Sequence, residues 1–348
     1  MNNLFPEKIL VIRLSSIGDI VLTSAFVRIL RKKFPNAQID FLVYSQYKSI
    51  LEFNLNISNL LNLNKNASAD EISNYKNELL SKNGTYDVIF DLHNNPKSKF
   101  FSESLGKEIF RIDKRRLFKL GLVWLKKGKN QPYKLIHEIY LDTLRKYDVI
   151  DDNLGLEFWL QSDKIDNKYF PHSKSFSKKR KLDIIIAPAA HYKTKMWSVQ
   201  YYIDLIELLK PFAKSIKLIG GKDDKNIADK IYSHHDFGIN LCGITNLTQT
   251  AEEIDKSDLV ITNDTGVMHI AAARQIPVAV FFGSTVKEFG FEPFRVPNIL
   301  LETELSCRPC SHIGRNFCPL GHFNCMNNIK PDFAFNKIIE FLKPIYGL

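Results

Sequence analysis

Ile261-Thr262-Asn263-Asp264-Thr265-Gly266-Val267-Met268-His269 joins an apolar run at residues 259–261 to a helical pattern over 267–274. A short buried strand, a small polar turn and a helix start in succession point to an α/β fold. The turn sets Thr265, Gly266 and the first unsatisfied N–H groups of a helix at the end of a strand. Such a corner binds anions, because the free amides point outward and the helix dipole favours negative charge. Thr265 adds a hydroxyl, and His269, one turn on, adds an imidazole on the same face. The plainer alternative is a structural corner with Asp264 as N-cap.

A second polar strand end, Arg13-Leu14-Ser15-Ser16-Ile17-Gly18-Asp19-Ile20, follows the apolar run at 9–12. A continuous apolar run of this kind suits a central parallel strand. Asp19 then stands at the carboxyl edge of a sheet, where open α/β folds bind ligands. Alternatively, Ser16 or Asp19 only caps the helix. Neither a G-x-G-x-x-G dinucleotide fingerprint nor a Walker loop is present, which disfavours a nicotinamide-dependent oxidoreductase.

Further apolar runs at 39–43, 88–92, 184–187, 216–219 and 278–282 alternate with helical stretches. This pattern predicts two doubly wound α/β domains with parallel sheets. The expected boundaries are an N-terminal domain over 1–167, a basic linker over 168–181 and a second domain over 182–330. An amphipathic helix over 331–348 is expected to pack back on the N-terminal domain. Residues 54–81, rich in Asn, Ser and Lys, are expected to contain a flexible loop. Two such domains leave a cleft that suits a donor on one side and an acceptor on the other. In the second domain, Lys195 can neutralise phosphate as a point charge. Asp224 can accept from ribose hydroxyls or cap the helix after it.

The chain has 348 residues, of which 45% are hydrophobic and 25% charged, with a formal net charge of +10. No apolar run is long enough to span a membrane, and no signal peptide is visible, so a cytoplasmic location is expected. Residues 111–134 hold nine Lys or Arg and one acid, Asp113, interleaved with Leu117, Phe118, Leu120, Leu122, Val123, Trp124 and Leu125. This mixture suits an anionic membrane surface or an acidic glycolipid; it is also compatible with a solvated helix face. Nucleic acid ranks last, since no recognisable nucleic-acid module accompanies the patch. Cys307, Cys310, Cys318 and Cys325 form a loose cluster, read as packed free thiols, with structural zinc as the alternative.

Four blocks together resemble the heptosyltransferases of lipopolysaccharide core synthesis, glycosyltransferase family 9. They are Ser16-Ile17-Gly18-Asp19; Asp91-Leu92-His93-Asn94-Asn95-Pro96-Lys97-Ser98; Lys195-Met196-Trp197-Ser198; and Asn263 to His269 with Phe282-Gly283-Ser284-Thr285. The resemblance implies the GT-B fold, two Rossmann-like domains facing a central cleft. It implies inverting transfer of heptose from ADP-heptose to a Kdo or heptose of the inner core on lipid A, without a catalytic cofactor. It makes Asp19 the general base. Lys195, Thr265 and Gly266 would hold the donor diphosphate, with Asp264 and His269 shaping the site and Asp224 beside it. Ser16, Gly18, Asn94, Lys97, Arg115 and Arg116 fall on the acceptor side. Ala189 and Ala190 stand where relatives often carry hydroxyls, so backbone N–H groups would replace a side-chain phosphate contact there. The enzyme would work peripherally, on the anionic inner leaflet of the inner membrane. The alternatives are a GT-B transferase using another sugar nucleotide and a non-catalytic binder of nucleotide or acidic glycan.

Overall fold

The computed structural model describes residues 5–126, 128, 129, 131–235 and 237–348. The chain divides into two units, Met1–Lys114 with Ile136–Tyr169, and Arg115–Leu135 with Phe170–Leu348. The first is built on five parallel strands: β1 (Lys8–Ile12), β2 (Gln38–Tyr44), β3 (Asn59–Leu63), β4 (Tyr86–Asp91) and β5 (Gly106–Arg111). Their order is β3-β2-β1-β4-β5, so the winding reverses between β1 and β4. Ile12 lies level with Leu42 of β2 and Asp91 of β4. Residues 9–12 are fully buried because β1 is covered on both faces and paired on both edges.

The second unit holds β6 (Leu182–Ala187), β7 (Ala213–Leu218), β8 (Ile239–Asn240), β9 (Leu259–Asn263), β10 (Val278–Phe282) and β11 (Asn298–Glu302). Their order is β11-β10-β9-β6-β7-β8, again parallel, with the reversal between β6 and β9. Trp197 stacks on Phe281 at 4.1 Å between centroids and meets Tyr202 edge-on, anchoring one face of this sheet. At a reversal the loops after two neighbouring strands diverge to opposite faces and leave a crevice at their carboxyl ends. Each unit has one, and the motif residues fall at both.

The structure refines four sequence expectations. Residues 54–81, expected to contain a flexible loop, are largely regular structure. They contain β3 and the start of the helix Ala69–Asn83, whose N-cap Ser68 accepts from the Glu71 N–H while the Glu71 carboxylate accepts from the Ser68 N–H. The basic stretch, expected in the N-terminal domain, groups with the second unit from Arg115 onward. Phe118, Leu122 and Val123 draw it there by packing with Val286, Phe289 and Phe291. The 168–181 segment, expected as the linker, is pinned along its length: Lys174 pairs with Asp255 at 2.6 Å, and the Lys179 ammonium with Asp258 at 2.5 Å. The helix Pro331–Tyr346, expected to pack back on the N-terminal domain, buries Ala334, Ile338, Leu342 and Tyr346 in the second unit's own core.

Gly283, just after β10, marks a tight backbone approach. A Cβ there would lie 2.5 Å from the Thr194 carbonyl oxygen and 2.7 Å from Met326 Cε. The carbonyl cannot yield without moving the loop after β6. Gly283→Ala should therefore cost about 1–3 kcal/mol of stability, the range for overpacking. An unchanged melting temperature would show that the loop adapts freely.

Candidate active site

At the first reversal, residues 13–16 lead from β1 into the helix Ile17–Leu22, with Ser16 as N-cap. Asp19 Oδ2 accepts from the Ser16 N–H at 3.2 Å and from Ser16 Oγ at 2.8 Å. Its Oδ1 lies 2.6 Å from Arg13 Nη2, with the two side chains 20% and 12% exposed. Asp19 thus caps its helix with one oxygen and holds an ion pair with the other. Burial works to raise its pKa; the Arg13 charge and the Ser16 hydrogen bonds outweigh that and hold the carboxyl below its usual value.

β4 delivers the neighbouring residues. Buried Asp91 accepts from the backbone N–H groups of His93 and Asn94 and from Ser98 Oγ, fixing the turn after the strand. Burial, then the charges of Arg13 and Lys114, drive the His93 pKa down to about 3, so this imidazole is neutral at ordinary pH. Its buried Nδ1 has no hydrogen-bond partner among the described residues. Tyr140 is fully buried and presents its ring 5.9 Å from the Arg13 guanidinium. Arg13, His93 and Tyr140 were not assigned from sequence. His93 was at least inside a quoted block, whereas Tyr140 lies too far along the chain for any local pattern to link it to Asp19.

Not every expected acceptor residue joins this group. Ser16 and Gly18 do, by position in the same turn and helix. Asn94, in the left-handed region at φ 48°, donates through its side chain to the Ile112 carbonyl and so braces the end of β5. The Lys97 ammonium donates to the carbonyls of Lys65 and Ala67. Arg115 and Arg116 belong to the second unit, where Arg115 lies 4.0 Å above the Phe118 ring.

The second reversal brings most of the expected donor residues together. Asn263, fully buried, accepts from the Trp197 N–H and donates to the Pro188 carbonyl, tying the loop after β6 to the end of β9. This places Lys195 Nζ 2.7 Å from Asp264 Oδ2. Thr285, after β10, donates to the same Asp264 oxygen at 2.7 Å. Asp264 is therefore not the N-cap: Thr265 is, in extended conformation and without a side-chain capping bond. The helix Gly266–Ala273 starts beside the Lys195–Asp264 pair, and first-turn amides of a helix lack intrahelical acceptors. Buried His269 is one turn in and meets the Phe291 ring edge-on. Asp224 caps its own turn, accepting from the Gly221 N–H at 2.8 Å. Thr285 closes the last family block, and its contact with Asp264 gives it a role that the sequence alone does not show.

The cysteine segment is held by basic side chains. Arg308 donates to the carbonyls of Gly283, Phe282 and Thr285 and pairs with Glu302. Lys126 donates to the carbonyls of Cys307 and Pro309. Cys307, Cys310, Cys318 and Cys325 are free thiols. Among the described residues no three Cys, His, Asp or Glu side chains converge as a metal site, so zinc at these cysteines is not supported.

A carboxylate at one reversal and an anion corner at the other, each on its own doubly wound sheet, is the layout of the GT-B class of glycosyltransferases. The sequence profile of glycosyltransferase family 9 (heptosyltransferase) matches residues 77–320, and the chain belongs to that family. Lipooligosaccharide heptosyltransferase 2 of Campylobacter jejuni is 25% identical over 339 residues, covering 94% of this chain and 96% of the relative. In fold, the chain is similar to a family 9 glycosyltransferase of Veillonella parvula, with TM-score 0.78, 18% identity and 97% and 98% of the two chains covered. It is also similar to the Escherichia coli ADP-heptose heptosyltransferase II of lipopolysaccharide, with TM-score 0.69, 18% identity and 97% and 99% covered.

Proposed function

We propose that this glycosyltransferase moves a heptose from ADP-heptose to a Kdo or heptose of the lipopolysaccharide inner core, inverting the anomeric centre. Family membership supports the donor and product class. The observation that carries the mechanism is the Asp19 carboxylate, held ionised at the carboxyl end of β1. In the transfer, the acceptor hydroxyl gives its proton to Asp19 as its oxygen bonds to the anomeric carbon. The bond from that carbon to the diphosphate breaks, and ADP leaves. A weak base suffices when the sugar carbon is already cationic in the transition state, because proton removal is then late. Charge growing on the diphosphate would be met by Lys195, Thr265 and the first amides of the helix Gly266–Ala273. Fixed groups of this kind act without reorganising.

Purified protein given ADP-heptose with Kdo-bearing lipid A, or with an already heptosylated core, should yield a heptosylated lipid and ADP. Nuclear magnetic resonance of the new linkage should show inversion. Turnover with a uridine or guanosine sugar nucleotide, and none with ADP-heptose, would overturn the donor assignment in favour of another sugar-nucleotide transferase.

The acceptor is lipid-linked and anionic, and the helix Arg116–Leu120 with the turn after it offers a matching face. Phe118, Leu122 and Val123 pack inward, whereas Leu117 and Trp124 are 85% and 72% exposed, beside exposed Leu120 and Leu125. Arg116 and Lys119 flank these side chains. Leucine and tryptophan seated at the headgroup level, with cations beside them, fit an anionic leaflet. No helix among the described residues is long and apolar enough to cross a membrane. Replacing Arg116 and Lys119 with Ser should weaken sedimentation with anionic vesicles by about 1 kcal/mol per cation, and high salt should mimic the change. ADP affinity, measured alongside, reports whether the second unit is intact. Vesicle binding equal to wild type would reduce this face to a solvated helix.

A further inference from the structure

Arg13 exchanges no proton in the transfer, and the family block that carries Asp19 begins only at Ser16. We propose that Arg13 is a positioning residue for the transfer, clamping Asp19 so that a single open lone pair on Oδ1 faces the acceptor hydroxyl. The inference rests on Asp19 being the base.

The guanidinium spends its donors in three directions. Nε donates to the Ser15 carbonyl at 2.8 Å, Nη1 to the Leu92 carbonyl at 2.5 Å, and Nη2 meets Asp19 Oδ1 at 2.6 Å. Ser15 lies in the turn after β1 and Leu92 just past β4, so the planar fork spans the reversal itself. On its far side the fork is backed by the fully buried Tyr140 ring. A lysine, as a point charge on a flexible stem, cannot hold three such acceptors in one plane. Arg13 therefore stays fixed by backbone carbonyls even without Asp19, and Asp19 is oriented against it.

A carboxylate offers roughly four acceptor positions. Ser16 takes two on Oδ2 and Arg13 takes one on Oδ1. The position left belongs to Oδ1, which assigns the proton-accepting atom. The clamp also fixes the plane of the carboxylate, and reacting groups lose efficiency quickly when misplaced. The positive charge has a further effect: it keeps a partly buried acid ionised, so the base remains available at low pH.

Arg13→Gln, Arg13→Lys and Arg13→Ala, assayed beside Asp19→Asn, test this on the full chain. Arg13→Gln should lower plateau kcat at least tenfold and leave ADP affinity unchanged. It should move the acid limb of kcat/KM to higher pH, since Asp19 loses the charge that keeps it ionised. Arg13→Lys should retain the acid limb yet lose kcat, separating charge from orientation. Guanidinium chloride should restore several-fold activity to Arg13→Ala and none to Asp19→Asn. A residue that only braced the turn would cost thermal stability without moving the acid limb. An unmoved limb in Arg13→Gln, or a wild-type kcat in Arg13→Lys, overturns the proposal. Near-normal turnover in Asp19→Asn overturns instead the reading of the base on which it rests.

Discussion

Asp19→Asn should lower kcat by at least about 10²-fold, the lower end for loss of a general base. The substitution keeps the shape of the side chain and can still accept from Ser16, so the helix start at Ile17 should survive. It removes the atom that takes the proton and leaves the Arg13 guanidinium facing an amide, with the Ser15 and Leu92 carbonyls still holding it. ADP affinity should change little, because Lys195, Thr265 and Gly266 belong to the other unit. The wild-type pH profile gives an independent check. Asp19 has a lowered pKa, so it is charged above that value and its contribution disappears as pH falls through it. The acid limb of kcat/KM, which reports the free enzyme, should thus lie below about pH 4, the ordinary carboxylate value, and the profile should be flat near neutrality with respect to this group. His93, already neutral above a pKa of about 3, adds no limb there. An acid limb centred near pH 6 would point to a different base, as would an asparagine variant that turns over at a near-normal rate.

Lys195→Ala should weaken ADP binding by about 1.5–3 kcal/mol, the range for a hydrogen bond to a charged group. Two losses combine in that variant. The diphosphate loses its cation, and Asp264, 9% exposed beside it, loses the ion pair that neutralised it. Thr285 still donates to Asp264, but a hydroxyl brings no charge. The remaining carboxylate would then repel the ligand. Removing that negative charge in the double variant Lys195→Ala with Asp264→Asn should therefore recover roughly tenfold of the lost affinity, about 1.4 kcal/mol. Calorimetry on all four proteins completes the cycle, and neighbouring residues that act together typically couple by about 0.5–3 kcal/mol. Strictly additive effects would mean that Lys195 and Asp264 do not act as a pair in binding. Full ADP affinity in Lys195→Ala would move the diphosphate away from this corner.

The strands foreseen from sequence and those missed divide along one physical line. β1, β2, β4, β6, β7, β9 and β10 were visible as apolar runs. The four that escaped, β3, β5, β8 and β11, are the four edges of the two sheets. An inner parallel strand is covered on both faces and reads as continuous apolar sequence. An edge strand can leave most of its residues partly accessible, as Asn59–Leu63 does, where Asn59 is exposed, the next three are half-buried and only Leu63 is buried. The Asp19 and Asp264 corners were legible because strand-to-helix turns leave a local signature and both follow inner strands. The partners of those corners were not. Arg13 reaches Leu92, and Asp264 reaches Thr285, only through the parallel register of neighbouring strands. The basic stretch was misplaced for a related reason. Its charges were plain in the sequence, but its unit is decided by Phe118 and Leu122 packing on Val286 and Phe289.

The helix Pro331–Tyr346 has a consequence for how the chain leaves the ribosome. All five strands of the first sheet, and the 136–169 segment that completes its unit, are synthesised before β6 begins. That unit can close while translation continues, since domains generally fold as units and N-terminal ones first. The second cannot. Its sheet has emerged by Glu302, yet the face against the helix Val199–Leu209 still lacks Ala334, Ile338, Leu342 and Tyr346. The Tyr346 hydroxyl, which reaches back to the Asp258 carbonyl just ahead of β9, arrives last of all. Through that interval a nascent chain holds every strand of the second sheet but not the helix that covers its apolar flank. A ribosome halted before Pro331 would release a folded first half carrying a sticky second half, a species suited to chaperone capture and proteolysis.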